Sequence, residues 1–86
     1  MSEIEIFSGP GCGYCFRAKA LLDGRGLTYR DRDVSDPAVR REFVARMPRA
    51  RTIPQIFIAG QHIGGYDDLA LLDRSGRLDE LLAAEA

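Results

Sequence analysis

Cys12 and Cys15 are the only cysteines in the chain, and with two residues between them they cannot brace a fold. A bond between them closes so short a loop that it removes little entropy from the unfolded chain. Small domains without a sufficient core usually add several disulfides or a metal. With 86 residues, 45% of them hydrophobic, this chain must instead be held by regular elements packed around one core. A single domain over residues 1–86 is expected.

The hydrophobic pattern supplies those elements. Ile4-Glu5-Ile6-Phe7 alternates as a strand does and stops at the loop-forming Ser8-Gly9-Pro10-Gly11. Phe16, Ala18, Ala20, Leu21 and Leu22 fit a helix ending near Gly24 or Gly26, which sets Cys12 just before that helix. The stretch Leu27 to Val34 reads as a second strand, and a strand-helix-strand unit favours a parallel pair. Asp36-Pro37 is a helix cap followed by a first-turn proline; Val39, Phe43 and Met47 then share one face of a second helix that stops at Pro48. Pro54 to Ile58 and Gln61 to Ile63 flank Ala59-Gly60 as a hairpin, closed by Gly64-Gly65. A helix from Tyr66 carries Leu69 and Leu72 inward, and Leu78, Leu81 and Leu82 mark a last short helix after Ser75-Gly76. The order is βαβαββαα, an α/β fold.

Charge and terminus narrow the function classes. A net charge of −1 argues against a general nucleic-acid binder, although eleven of the twelve basic residues are arginine. No apolar run approaches the roughly 20 residues that cross a bilayer. Met1-Ser2-Glu3-Ile4-Glu5 has acidic residues where a signal peptide needs basic ones, so a cytoplasmic location without a membrane partner is expected.

A cysteine at a helix N-terminus faces unpaired backbone N–H groups and the positive end of the helix dipole, both of which favour thiolate. Cys12 has that place, which makes it the candidate nucleophile. Cys15, one turn on, can attack a mixed disulfide formed at Cys12 and is the candidate resolving thiol. Beside a βαβ pattern this spacing is a redox signature. A zinc site would need about four ligands, and the chain adds only His62 to its cysteines. Two inert core thiols are the other alternative, but the glycine-proline loop before Cys12 speaks for exposure. His62, in a hairpin strand, reads as structural. Pro54 read alone is an ordinary trans proline opening a strand.

Cys12-Gly13-Tyr14-Cys15, Thr52-Ile53-Pro54 and Gly64-Gly65-Tyr66-Asp67-Asp68 together resemble the motifs of glutaredoxins in order and spacing, over nearly the whole chain. Pro54 to Ile58 and Gln61 to Gly65 are similar to the bacterial dithiol members. The resemblance implies a thioredoxin-like fold, a four-stranded mixed sheet flanked by helices, with a glutathione site beside Cys12. It implies a cis bond before Pro54, turning the Ile53 N–H and C=O toward the cysteinyl part of glutathione. The N–H groups of Tyr66, Asp67 and Asp68 would hold the γ-glutamyl carboxylate, and Asp67 or Asp68 the ammonium. Gly65 would let the ligand approach the backbone, and Tyr14 would pack beside the sulfur site. Implied partners are glutathione and glutathionylated or disulfide-containing proteins, met by a monomer.

Two positions depart from the family. Many dithiol glutaredoxins have proline at the position of Gly13 and lysine near that of Gly9. Arg17, Arg49 and Arg51 are candidates to supply the missing cation, and Arg51, just before Thr52, is the choice. Gly13 loosens the turn and opens a second possibility: two chains sharing a 2Fe-2S cluster, each giving Cys12 and one glutathione thiolate. Electrons taken from thioredoxin reductase instead of glutathione are a third.

Overall fold

A computed structural model describes residues 3–84. Its elements run β1 (Ile4–Ser8), α1 (Gly13–Gly24), β2 (Arg30–Asp33), α2 (Pro37–Arg46), β3 (Gln55–Ile58), β4 (Gln61–Gly64), α3 (Tyr66–Arg74) and α4 (Arg77–Ala84). The expected order βαβαββαα holds. One mixed four-stranded sheet has the strand order β2-β1-β3-β4, with β1 parallel to β2 and the other pairs antiparallel.

Alternation along the two central strands gives the sheet two buried faces. Ile4, Ile6, Ile56 and Ile58 meet Ala18 and Leu22 of α1, Leu69 of α3 and Leu78 of α4. On the other face Phe7 and Phe57 meet Met47, with Val39 and Phe43 of α2 packed against them. Glu5 also faces that side, although only 10% of its side chain is exposed; its carboxylate accepts from Arg32 at 2.7 Å and Arg46 at 3.0 Å.

Local chemistry explains where the elements stop. Asp36 accepts from the Ala38 and Val39 N–H groups and so caps α2. At the end of α1, Leu27 N–H donates to Leu22 C=O and Gly26 N–H to Asp23 C=O, with Gly26 at φ +69°. This is a Schellman motif, in which a left-handed glycine lets the chain satisfy the last carbonyls. It also shortens β2, expected from Leu27: Leu27 is taken up by the cap, and strand pairing begins at Arg30. Ala59 at φ 53° and Gly60 at φ 81° form the expected two-residue turn between β3 and β4. The apolar residues of α1 also sort differently than a simple count suggests. Cys15, Ala18 and Leu22 form its buried face, while Phe16 is 75% exposed beside the dithiol.

Candidate active site

The turn from β1 into α1 places the dithiol just past the C-terminal end of a central strand. Cys12 is the N-cap of α1, in extended conformation, and its Sγ accepts the Cys15 N–H at 3.1 Å. A sulfur so placed receives the helix dipole and an orphan donor together, which favours negative charge on it. Cys12 is half-buried, whereas Cys15 is 1% exposed on the core face of α1. Of the two sulfurs Cys12 is therefore the more accessible, with Cys15 turned to the core. The two sulfurs are bonded here, with Cα atoms 5.2 Å apart, so the structure represents the oxidised form.

Opposite the dithiol, the Ile53–Pro54 bond is cis, as the resemblance implies, and the Ile53 carbonyl oxygen lies 3.6 Å from Cys12 Sγ. From there an open cleft of about 520 Å³ runs along the surface. It is lined by Tyr14 of α1, by Thr52, Ile53 and Pro54 before β3, and by Gly65, Tyr66, Asp67 and Asp68 at the start of α3. The ring of Tyr14 lies 6.1 Å from that of Tyr66, and the Arg17 guanidinium sits over Tyr14 at 5.4 Å. Asp67 and Asp68 differ in their commitments. Asp68 accepts the Gly65 N–H at 3.0 Å, closing the first turn of α3, while the Asp67 carboxylate makes no ion pair or hydrogen bond among the described residues. Gly64 at φ +125° lies directly beneath the Asp68 carboxylate, so a side chain there would collide with it.

None of the three candidate arginines lines this cleft itself. Arg17 covers Tyr14; Arg49 lines a hollow with Met47 and Pro48 that shares Gln55 and His62 with the cleft; Arg51 lines another with Arg40 and Phe43. The Arg51 hollow shares Thr52 and Ile53 with the main cleft, so Arg51 borders the site next to these residues. Gly9 has a packing reason to be small, since a Cβ there would come 3.0 Å from Ile53 Cδ1. Gly13 has none: a Cβ at that position meets nothing within 4 Å. Among the described residues no group of three or more His, Cys, Asp and Glu side chains is placed to hold a metal ion.

The cleft is also lined by Gly64, part of the glycine motif, and by two residues that the sequence did not place there, Gln55 and His62, the latter read as structural. Gln55 opens an otherwise apolar strand and is 8% exposed, a polar residue in a core position that could have signalled a role. His62 accompanies it, with Nε2 at 2.7 Å from Gln55 Oε1. No helix among the described residues is long and apolar enough to cross a membrane.

Comparison with known proteins agrees with this geometry. The family model for glutaredoxin matches residues 4–63. Glutaredoxin 3 of Escherichia coli K12 is 45% identical over 82 residues, covering 95% of this chain and 99% of that protein. The solution structure of a glutaredoxin from Brucella melitensis superposes with a TM-score of 0.77 at 47% identity, over 93% of this chain and 87% of the other. The buckwheat glutaredoxin–glutathione complex gives a TM-score of 0.82 at 32% identity, over 96% and 78%. The fold is thioredoxin-like, and the chain belongs to the glutaredoxin family of thiol-disulfide oxidoreductases.

Proposed function

We propose that this protein uses glutathione to reduce protein–glutathione mixed disulfides and, through the second cysteine, protein disulfides. The observation that carries the reading is the half-buried Cys12 sulfur, the N-cap of α1 with buried Cys15 one turn on, 3.6 Å from the carbonyl of Ile53, which lines a cleft shared with the first residues of α3. A cleft of about 520 Å³ suits a tripeptide. Ile53 offers its backbone to the cysteinyl residue, as an edge strand does. The first N–H groups of α3 offer an anion site for the γ-glutamyl carboxylate, and uncommitted Asp67 takes the ammonium, with Asp68 already bound to Gly65. Arg51 draws the glycine carboxylate toward Thr52 and Ile53.

In the first step the Cys12 thiolate attacks the glutathione sulfur of a mixed disulfide, forming a Cys12–glutathione disulfide and expelling the substrate thiolate, which takes a proton from water. A second glutathione thiolate attacks the bound glutathione sulfur, freeing Cys12 as thiolate and leaving oxidised glutathione. Where the substrate is a protein disulfide, Cys15 loses its proton and attacks Cys12 Sγ in the protein–Cys12 disulfide. Two glutathione molecules then reduce the resulting Cys12–Cys15 bond. The buckwheat relative in complex with glutathione supports the choice of reductant.

The test is a coupled assay on a glutathionylated peptide with two reducing systems, glutathione with its reductase and thioredoxin reductase with NADPH. Turnover with the first and background with the second is expected. Turnover only with thioredoxin reductase overturns the reading.

A further inference from the structure

Gln55 and His62 belong to the cleft, yet no step above uses them. Gln55 is the first residue of β3 and packs in the middle of the sheet, where a polar side chain is costly unless every hydrogen-bonding atom is satisfied. Its amide is satisfied on both ends. Nε2 donates to the Thr52 carbonyl at 3.1 Å and to Thr52 Oγ1 at 3.3 Å, and Oε1 faces His62 Nε2 at 2.7 Å. Two oxygen acceptors on one side fix which end of the amide is nitrogen, so the oxygen is the end facing histidine. His62 must therefore donate from Nε2, which settles its tautomer when neutral and is also met when it is charged.

The register of the β3–β4 hairpin permits this chain of bonds. Across the two-residue turn Ile58 faces Gln61 and Phe57 faces His62, and only beyond that pair does the pairing slip by one residue, with Ile56 facing Gly64. Here His62 comes to lie against the Phe57 ring, with centroids 5.0 Å apart, on the face shared by Gln55 two residues before Phe57. Arg46 covers the Phe57 ring at 4.2 Å. The donor end of His62 is thus clamped by packing before it meets Gln55.

The receiving end of the relay is the segment that faces the reactive sulfur. Thr52 precedes Ile53, whose carbonyl lies 3.6 Å from Cys12 Sγ. We propose that Gln55 and His62 are positioning residues for thiol exchange: they hold Thr52, and so the Ile53 backbone edge, in the place where an incoming cysteinyl segment pairs before its sulfur meets Cys12. This deepens the proposed function and rests on the Ile53 edge being where the substrate docks. Neither side chain touches the reacting sulfurs.

The experiment follows the reduced protein in a single turnover with a glutathionylated peptide, and separately measures alkylation of Cys12 by iodoacetamide, which needs no docking edge. Gln55→Leu, apolar and unable to bond Thr52, should lower the second-order exchange rate about tenfold, the factor that 1.4 kcal/mol represents. Its alkylation rate should stay within about twofold of the parent's, because the α1 cap on Cys12 is untouched. A general structural fault would slow both reactions alike. His62→Leu should lower the exchange rate several-fold, and His62→Gln, which puts an amide N–H at about the reach of imidazole Nε2, should restore it. Exchange within twofold of the parent in Gln55→Leu overturns the proposal, as do equal losses in both reactions. If Gln55→Leu does not fold, the His62 pair decides: equal rates for leucine and glutamine overturn it. Failure of the underlying reading is distinct, because the parent itself would then not react with the glutathionylated peptide.

Discussion

Removing the Glu5 carboxylate should loosen α2 from the sheet, at a cost that the geometry allows to be estimated. Glu5 lies on the central strand β1 with 10% of its side chain exposed and accepts Arg32 Nη1 at 2.7 Å and Arg46 Nη1 at 3.0 Å. Breaking a buried ion pair costs roughly 3–5 kcal/mol when it strands the remaining charge. Here neither arginine is stranded, because Glu42 still accepts from Arg32 at 2.7 Å and Arg46 at 3.2 Å, and Arg46 keeps its position over Phe57. About half the penalty should apply, so Glu5→Ala is expected to cost about 2 kcal/mol. For a domain of this size that lowers the melting temperature by roughly 8–16 °C. Urea denaturation at neutral pH gives the free energy, repeated at about 1 M salt, where screening acts within roughly 3 Å and removes exposed pairs but not buried ones. The loss in Glu5→Ala should persist in salt, whereas Glu3→Ala, which removes a partner of exposed Arg30, should cost under about 0.5 kcal/mol throughout. A Glu5→Ala loss below about 0.5 kcal/mol, or one that vanishes in salt, refutes the view that this network clamps α2.

Other expectations concern single residues. The Arg32 hydrogen bond holds the Glu42 carboxyl below its ordinary value near 4.5, so this pairing contributes stability above that pH and loses it as pH falls through the lowered value; Glu42→Gln should flatten the acid limb of a pH–stability curve. Ala59 sits at φ 53°, where asparagine is easier to accommodate, and Ala59→Asn should stabilise by about 0.5–1 kcal/mol in the same denaturation assay. Asp67→Ala should raise the KM for glutathione about tenfold with little change in melting temperature. Asp68→Ala, which also frees the Gly65 N–H, should lower the melting temperature as well. Cys12→Ser keeps a side-chain cap on α1 and should fold as stably as the parent, whereas Cys12→Ala should lose about 1 kcal/mol.

Much of this molecule is legible in its sequence where local chemistry decides. The Asp36-Pro37 cap, the Ala59-Gly60 turn and the position of Cys12 before α1 each follow from one or two residues acting on their own backbone. The parts that were not legible depend on neighbours distant in sequence. Phe16 fits an apolar count but points to solvent, because the sheet lies on the side of Cys15, Ala18 and Leu22. Leu27 has strand character yet completes a helix cap, a choice made by Gly26. Arg51 is next to Thr52 in the chain, but the fold sets it in a hollow that it shares with Arg40 and Phe43, beside the cleft and not among its lining residues. Gln55 and His62 meet across the hairpin, where His62 faces Phe57 and Gln55 stands two residues before it, a contact between two strands that the pattern of either strand alone does not show.

The central claim is that Cys12 alone carries glutathione exchange and that Cys15 is needed only for protein disulfides. It is tested most directly by comparing the parent, Cys12→Ser and Cys15→Ser on a glutathionylated peptide and on a protein disulfide, with glutathione and its reductase as the electron source. Cys15→Ser should retain deglutathionylation and lose protein disulfide reduction, while Cys12→Ser should fall to the uncatalysed rate on both substrates. Deglutathionylation at the parent rate by Cys12→Ser would contradict it.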